Sequence, residues 1–169
     1  MKLLELLSER KAGLTERWRH RLFETYPPQT TVFLKKENNR FDNPVGHQLT
    51  QGLARIVETL IQEMDREQVL AALDEVIRIR ALQNFSPSQA LAFIFLLKNV
   101  IREELAPELK AGQFSQELQE LDSRIDGLAL LGFDVYTQRR EKLFEIRVNE
   151  VKQRVSGFLR SKGMDVNSF

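Results

Sequence analysis

The sequence predicts an all-α fold, a single-domain bundle of about six helices that ends in a long C-terminal helix. Three observations support this prediction. Apolar residues recur at helical spacing along most of the chain, capping residues mark several helix starts, and no segment alternates as a β-strand would. With 169 residues, the chain is long enough to bury a core without a metal ion or a disulfide.

The most apolar stretch, residues 90–97, lies near the middle of the chain. Ser86 is the predicted N-cap of its helix, Pro87 occupies the first helical position, and Gln89 completes a capping box. The stretch is apolar on nearly all sides, which predicts a central helix surrounded by other helices. It is shorter than the roughly 20 apolar residues that a membrane-spanning helix needs.

Four predicted helices precede the central one. The first has a weak point at Gly13 and ends at Pro27-Pro28. Asn43 and Asp65 are the predicted N-caps of the third and fourth helices. The predicted ranges of the four helices are 2–25, 31–37, 43–64 and 65–84.

Ser115 is the predicted N-cap of a last helix that meets no strong breaker before Gly163, which is unusually long for a small domain. In its first half, Gly127 and Gly132 are expected to allow close backbone approach. In its second half, apolar residues recur at 4-3-4-3 spacing and are separated by charged residues: Phe144, Val148, Val151, Val155 and Phe158.

This narrow apolar pattern is typical of a coiled coil. It predicts that the second half of the last helix leaves the bundle and pairs with a second copy of the chain, forming a homodimer. The alternative is that it folds back as ordinary core. The predicted divisions are a helical domain over 1–143, a dimerisation extension over 144–162 and a flexible tail over 163–169.

Composition excludes several classes of protein. The chain has no cysteine, which excludes a disulfide scaffold, a thiolate metal site and a cysteine nucleophile. A net charge of +1 with interspersed signs gives no electrostatic case for nucleic acid or an anionic membrane. The amphipathic N-terminus does not resemble a signal peptide, so we expect a cytoplasmic protein.

Motifs for catalysis and cofactor binding are missing from the sequence. It contains no Gly-rich phosphate loop, no Gly-x-Ser-x-Gly elbow, no His-Glu-x-x-His and no paired Glu-x-x-His. The two histidines, His20 and His47, are better explained as structural or solvated residues than as ligands or bases, and His47 is the better candidate of the two. We therefore expect no catalytic residue, no metal site and no cofactor.

Two pairs of carboxylates could share a proton or hold a cation. Asp122 and Asp126 lie one helical turn apart, and residues 103–104 are adjacent glutamates. Because Arg102 and Arg124 are close in sequence, ion pairs are the favoured interpretation. Seven phenylalanines are likewise expected in the core rather than around a ligand: Phe33, Phe41, Phe85, Phe93, Phe95, Phe133 and Phe144.

The end of the fourth helix is the best place for a pocket. Arg78, four residues after Asp74, could pair with it on a half-buried face beside the central helix. Gln83-Asn84 and the cap at 86–89 add polar groups at the same end. These groups could line a pocket for a small anion, or they could lock the helix junction, which is the favoured interpretation. Arg78, Gln83 and His47 are the candidate pocket residues.

Three segments resemble the N-terminal domain of the RsbT co-antagonist RsbR/RsbRD family: RFDNPVG (40–46), VIRIRALQNFSPSQALAFIFLLKNVIREEL (76–105) and EIRVNEVKQRV (145–155). The resemblance covers most of the chain from about Leu14 to Val155. It implies an all-helical, often dimeric sensory module of the kind found in stressosomes, related to non-haem globin-like sensors. It implies signal input to a protein partner rather than catalysis.

In that family the last helix leads into a STAS output domain that carries phosphorylated residues, or into a kinase or DNA-binding module. No such module follows within these 169 residues. We therefore expect either a stand-alone sensor or a sequence truncated before its output domain, and the phosphoacceptor role transfers to no residue here. If the fold is globin-like, the lack of a proximal histidine in 71–84 argues against haem.

Three hypotheses follow for the function. The first is a dimeric sensory or regulatory domain that transmits its signal through the C-terminal helix to a protein partner, with an unidentified small ligand as a further expectation. The second is a structural or accessory protein that docks on a cytoplasmic enzyme or redox complex. The third, an enzyme, is disfavoured because no clustered acid, base or metal set is present.

Overall fold

The computed structural model describes residues 2–36, 39–62 and 65–164, and all regular structure within these ranges is α-helical. Two compact units are present, Met1–Tyr136 and Thr137–Phe169. Eight helices form the described fold: α1 (Leu3–Glu9), α2 (Lys11–Phe23), α3 (Pro28–Lys36), α4 (Pro44–Ile61), α5 (Arg66–Leu82), α6 (Pro87–Glu104), α7 (Ala106–Lys110) and α8 (Ser115–Ser161). The all-α prediction is confirmed.

The predicted helix starts of α4, α5 and α6 are confirmed by their caps. The Asn43 side chain accepts a hydrogen bond from the Gly46 backbone N–H at 2.9 Å. Asp65 and Ser86 each form a capping box with the glutamine three residues later. A left-handed backbone at Gly163, with φ of 70°, follows the end of α8. The predicted ends at residues 37 and 64 and most of the predicted tail lie outside the described residues.

The first predicted helix is two helices, and its break lies at Arg10 rather than at Gly13. The Arg10 guanidinium donates a hydrogen bond to the Glu104 carbonyl oxygen at 2.7 Å and also pairs with Glu108, so contacts with α6 and α7 hold the bend. Helix α7 was not expected from the pattern. These two differences account for eight described helices where about six were predicted.

Helix α2 packs against both α4 and α6 in the first unit. Its Trp18 is fully buried, stacks on Phe93 with ring centroids 5.8 Å apart, and donates a hydrogen bond to the Phe93 carbonyl oxygen at 2.7 Å. Helix α4 also packs on α5. An indole N–H in a core usually needs a hydrogen-bond partner. Here the partner is a backbone carbonyl of α6, so the bond fixes how Trp18 of α2 is oriented against α6.

Gly127 and Gly132 of α8 differ in how closely neighbouring helices approach them. A Cβ on Gly132 would lie 2.9 Å from Ile94 Cδ1 and 3.2 Å from Ile77 Cδ1, so this glycine allows α8 to approach α5 and α6, as predicted. A Cβ on Gly127 would meet no atom within 4 Å, so the prediction of close approach there was wrong. The reason is that Gly127 faces the groove beside α4 and α5 rather than a packed neighbour.

The central helix α6 is buried on one side only. Phe93 and Leu97 are fully buried, whereas Ala92 is exposed and Phe95 is 50% exposed. The prediction of burial on nearly all sides was therefore wrong. The expectation of core positions was also wrong for Phe33, Phe41, Phe95, Phe133 and Phe144, which are all exposed by 50% or more. An aromatic side chain favours burial, but only the arrangement of the helices decides which faces are covered.

The predicted ion pairs of the carboxylates on α6 and α8 are confirmed. Asp122 pairs with Arg102, and Asp126 accepts a hydrogen bond from Lys98 Nζ at 2.7 Å. The glutamates 103–104 pair with arginines of α2. Such pairs are each worth about 0–1 kcal/mol at a surface, so they align α6 with its neighbours rather than hold the fold together. Within the described ranges, no helix is long and apolar enough to cross a membrane.

Candidate functional site

Arg80 is a fully buried arginine at the junction of α5, α6 and the end of α2. Its Nε donates to the Ala90 carbonyl oxygen at 2.8 Å, and Nη2 donates to the Gln89 carbonyl oxygen at 2.9 Å. Nη1 donates to the Thr25 hydroxyl at 3.2 Å. One side chain therefore joins the end of α5 to the first turn of α6 and to Thr25, which is 55 positions away.

Aromatic rings surround the Arg80 guanidinium. Its Cζ lies 4.3 Å from the ring centroid of Phe85, 5.3 Å from that of Tyr26 and 5.7 Å from that of Phe93. Burial lowers the pKa of Arg80, and the nearby Tyr26 opposes that shift. An arginine stays charged at neutral pH in proteins, so the ring faces and the carbonyl oxygens together stabilise a buried cation.

The other polar groups of this junction complete a hydrogen-bonded lock. Gln83 Oε1 accepts a hydrogen bond from the Tyr26 hydroxyl at 2.8 Å, and the Tyr136 hydroxyl donates to the Phe85 carbonyl oxygen at 3.3 Å. Arg78 is exposed instead. The contacts of Gln83 therefore favour the lock, while a pocket role for Arg78 and Gln83 stays a prediction.

The buried arginine itself is the residue that sequence reasoning missed. Arg80 lies in the segment 76–105 that resembles the family, but the sequence pattern alone does not make it a candidate pocket residue. Its spacing was the available signal, because Leu73, Val76 and Ile77 precede it at helical intervals and form the buried face of α5. A cation on an otherwise apolar stripe indicates a buried, hydrogen-bonded arginine.

A pocket of about 290 Å³ lies at the start of α4, and His47 is part of its wall. Its wall combines residues of α2 (Glu16 and Arg19), α3 (Leu34) and the beginning of α4 (Asn43, Gly46, His47 and Thr50). We call this the His47 pocket. Of the three candidate pocket residues, His47 is the one that lines it.

The polar wall of the His47 pocket is held in place by internal hydrogen bonds. Asn43 Nδ2 donates to the Leu34 carbonyl oxygen at 3.3 Å, and the Thr50 hydroxyl donates to the Gly46 carbonyl oxygen at 2.7 Å. A Cβ on Gly46 would lie 2.2 Å from Asn43 Nδ2. Only glycine therefore lets the buried Asn43 side chain close the first turn of α4.

Arg19 is the buried charged residue of this wall, and its exposed fraction is only 7%. Its Nε donates to Glu16 Oε2 at 2.8 Å, Nη2 pairs with Glu16 Oε1, and its Cζ lies 5.2 Å from the Phe23 ring centroid. The hydrogen bond from Arg19 is the main reason that the pKa of Glu16 is lowered, with a smaller contribution from His20.

This pair predicts a weak acid dependence of stability. Because the folded state lowers the pKa of Glu16, its contribution is fully present above the unfolded value, 4.5, and is lost as pH falls below it. Since Glu16 is largely exposed, we expect about 0.3–0.5 kcal/mol. Urea unfolding of Glu16→Gln at pH 7 and pH 3 should show a smaller difference between the two pH values than the wild type shows. An unchanged difference would contradict the role of the pair.

The predicted dimerisation residues lie in the second unit. Phe144 is 68% exposed, Val151 57%, Val155 50% and Phe158 62%, and Val148 is half-buried. We call these five residues the seam. They recur at 4-3-4-3 spacing within α8, so they share one face of the helix. Pairing through the seam stays a prediction.

Clusters of three or more His, Cys, Asp or Glu side chains that could hold a metal ion are absent from the described part of the chain. Neither the curated proteins nor the solved structures contain a match to this sequence. A family model does match: the RsbT co-antagonist protein RsbRD N-terminal domain, over residues 12–151. The chain therefore belongs to this family and is a sensory or regulatory domain of the RsbR type.

Proposed function

We propose that this domain is a cytoplasmic, non-enzymatic sensor that signals through protein–protein contacts, and that it works as a homodimer paired through the seam. The observation that supports this proposal is the exposure of the seam. Two phenylalanines and two valines are each at least half exposed along one face of a helix. Apolar residues that form a continuous exposed stripe mark interaction surfaces more often than scattered single residues do.

The spacing of the seam suits a second copy of the same helix. In a heptad register, Val148 and Val155 occupy a positions, and Phe144, Val151 and Phe158 occupy d positions. β-Branched residues at a favour two-stranded parallel pairing. A parallel pair would bring the two C-terminal ends together, where a small shift or rotation of either helix could be passed to a protein partner.

A double substitution tests this pairing. We expect Val148→Glu combined with Val151→Glu to convert a dimer into a monomer, because it would place four carboxylates in the centre of an apolar interface. Native mass spectrometry, or light scattering coupled to size exclusion, reports the change. A wild-type dimer that keeps its mass after both substitutions would contradict pairing through the seam.

The control places the same added charge on another face of the helix. Asn149 and Gln153 are exposed and lie outside the seam. Asn149→Glu with Gln153→Glu should therefore leave the dimer intact, even though it also adds two carboxylates to each chain. If both double variants dissociate the dimer equally, net charge rather than the seam explains the effect.

An accessory protein that docks on an enzyme complex is the second candidate. A separate observation favours it, namely an open groove of about 730 Å³ in the first unit, lined by Thr59, Leu60, Gln62, Val69, Arg124, Gly127, Leu128, Leu130 and Leu131. Leu130 is 73% exposed there. A monomeric wild-type protein would favour this candidate, since its seam and groove would then be available to a different protein.

A further inference from the structure

We propose that the His47 pocket is a binding site for a small organic carboxylate, with Arg19 and His47 as the residues that bind the carboxylate group. The site itself is inferred from the pocket alone. Its role as the signal input rests on the proposed sensory function. The two ideas are therefore tested by different measurements, one of ligand binding and one of oligomeric state.

Arg19 lines the pocket, and one of the three nitrogens of its guanidinium, Nη1, makes no hydrogen bond within the described part of the chain. Nε and Nη2 are engaged by Glu16, but none of the described residues accepts a hydrogen bond from Nη1. The side chain is almost fully buried and lines the pocket. Nη1 is not one of the buried atoms without a partner, so it keeps accessible surface, and an acceptor oxygen there would form a charge-assisted hydrogen bond in place of water.

His47 supplies a second donor. It is half-buried in the first turn of α4, and its imidazole makes no hydrogen bond with any residue of the described ranges. The start of a helix also carries a partial positive charge, which favours an anion beside it. Arg19 and His47 line the same pocket, so one N–H donor of each is assigned to the two oxygens of one carboxylate.

The rest of the wall favours a carboxylate over phosphate. Glu16 places a negative charge in the wall, which Arg19 only balances, so a dianion would meet more repulsion than a monoanion. Leu34 adds an apolar surface for a carbon skeleton. The volume of about 290 Å³ is much larger than one carboxylate group and is near the lower end of the range for small-molecule sites.

Titration of the full chain with three salts tests the proposal. Sodium propionate, inorganic phosphate and sodium chloride are added at matched ionic strength while backbone amide NMR shifts are recorded. We expect saturable shifts of Gly46 and His47 with propionate, about tenfold weaker binding of phosphate, and no saturable shift with chloride. Equal binding of propionate and phosphate, or no saturable shift with propionate, would overturn the carboxylate site.

Neighbouring positions in α4 provide a matched pair of variants. His47 lines the pocket, whereas Gln48 is exposed and does not. His47→Ala should weaken propionate binding by about tenfold or more, as expected for a lost hydrogen bond to a charged group, and Gln48→Ala should not change it. Equal affinities of the two variants would overturn the role of His47.

The variant that disrupts the seam tests whether ligand binding at the His47 pocket is independent of dimerisation through the seam. Val148→Glu with Val151→Glu changes residues that do not line the pocket. Propionate binding retained in that variant supports a site that belongs to the first unit by itself. Binding that requires an intact seam would overturn the assignment of a site complete within one chain.

Discussion

Replacing Arg80 by alanine is expected to lower the free energy of unfolding by about 3–5 kcal/mol. Arg80 is fully buried and donates hydrogen bonds to two carbonyl oxygens of α6 and to the Thr25 hydroxyl. The substitution removes these bonds and the contacts with the three rings at once. It also leaves a cavity that the surrounding helices can close only in part.

Urea unfolding of Arg80→Ala and Arg78→Ala measures this effect with a matched control. Both arginines lie in α5, two residues apart, but Arg78 is exposed. Arg78→Ala should change stability by no more than about 0.5 kcal/mol. Similar losses for the two variants would show that charge or helix propensity, rather than the buried contacts of Arg80, is responsible.

Arg80→Met separates the loss of stability caused by missing hydrogen bonds from the loss caused by missing side-chain volume. Methionine fills much of the space with an apolar chain and avoids the desolvation of a buried cation, but it makes no hydrogen bond to α6. We expect Arg80→Met to be less stable than the wild type by about 1–3 kcal/mol and more stable than Arg80→Ala. A methionine variant as stable as the wild type would contradict a stabilising role for the hydrogen bonds.

Gly52→Ala is expected to destabilise the protein by about 1–2 kcal/mol, although alanine is the better helix former. A Cβ at this position would lie 2.6 Å from Val76 Cγ2 and 3.2 Å from Glu75 Cβ. Val76 is fully buried and β-branched, so its side chain has little freedom to move away. Helices α4 and α5 would have to separate.

Gly127→Ala is the control, and the expected sign is the opposite. Nothing lies within 4 Å of a Cβ at Gly127, which is in the interior of α8. The substitution should stabilise the protein by about 0.5–1 kcal/mol, because alanine loses less backbone entropy than glycine in a helix. Thermal or urea unfolding of both variants gives the comparison. Two changes of the same sign would contradict the close approach of α4 and α5 at Gly52.

The helix starts at Asn43, Asp65 and Ser86 could be predicted because each depends on a few adjacent residues. The side chain of a cap bonds the backbone only three residues ahead, so the pattern is complete in the sequence. The break at Arg10 could not be predicted in the same way. It depends on contacts with α6 and α7, almost 100 positions away.

The two candidate sites differ in the same way: the seam depends on residues close in sequence, whereas the His47 pocket depends on distant ones. The 4-3-4-3 spacing of the seam is present in the sequence, and its exposed side chains agree with a surface helix. The His47 pocket combines residues of three helices, and nothing in the spacing of Arg19, Leu34 and His47 indicates that they meet. His47 could be selected from its position just after a helix cap, but the residues that share its pocket could not be predicted from the sequence.

The sequence by itself determined the helical class, the capped starts of the middle helices, the length of α8 and the family to which the chain belongs. Only the tertiary structure decided that Arg80 rather than Arg78 is buried, and that five of seven phenylalanines are exposed. Helix formation depends on hydrogen bonds between residues three or four positions apart. Burial depends on which helix faces meet, and those faces come from distant parts of the chain.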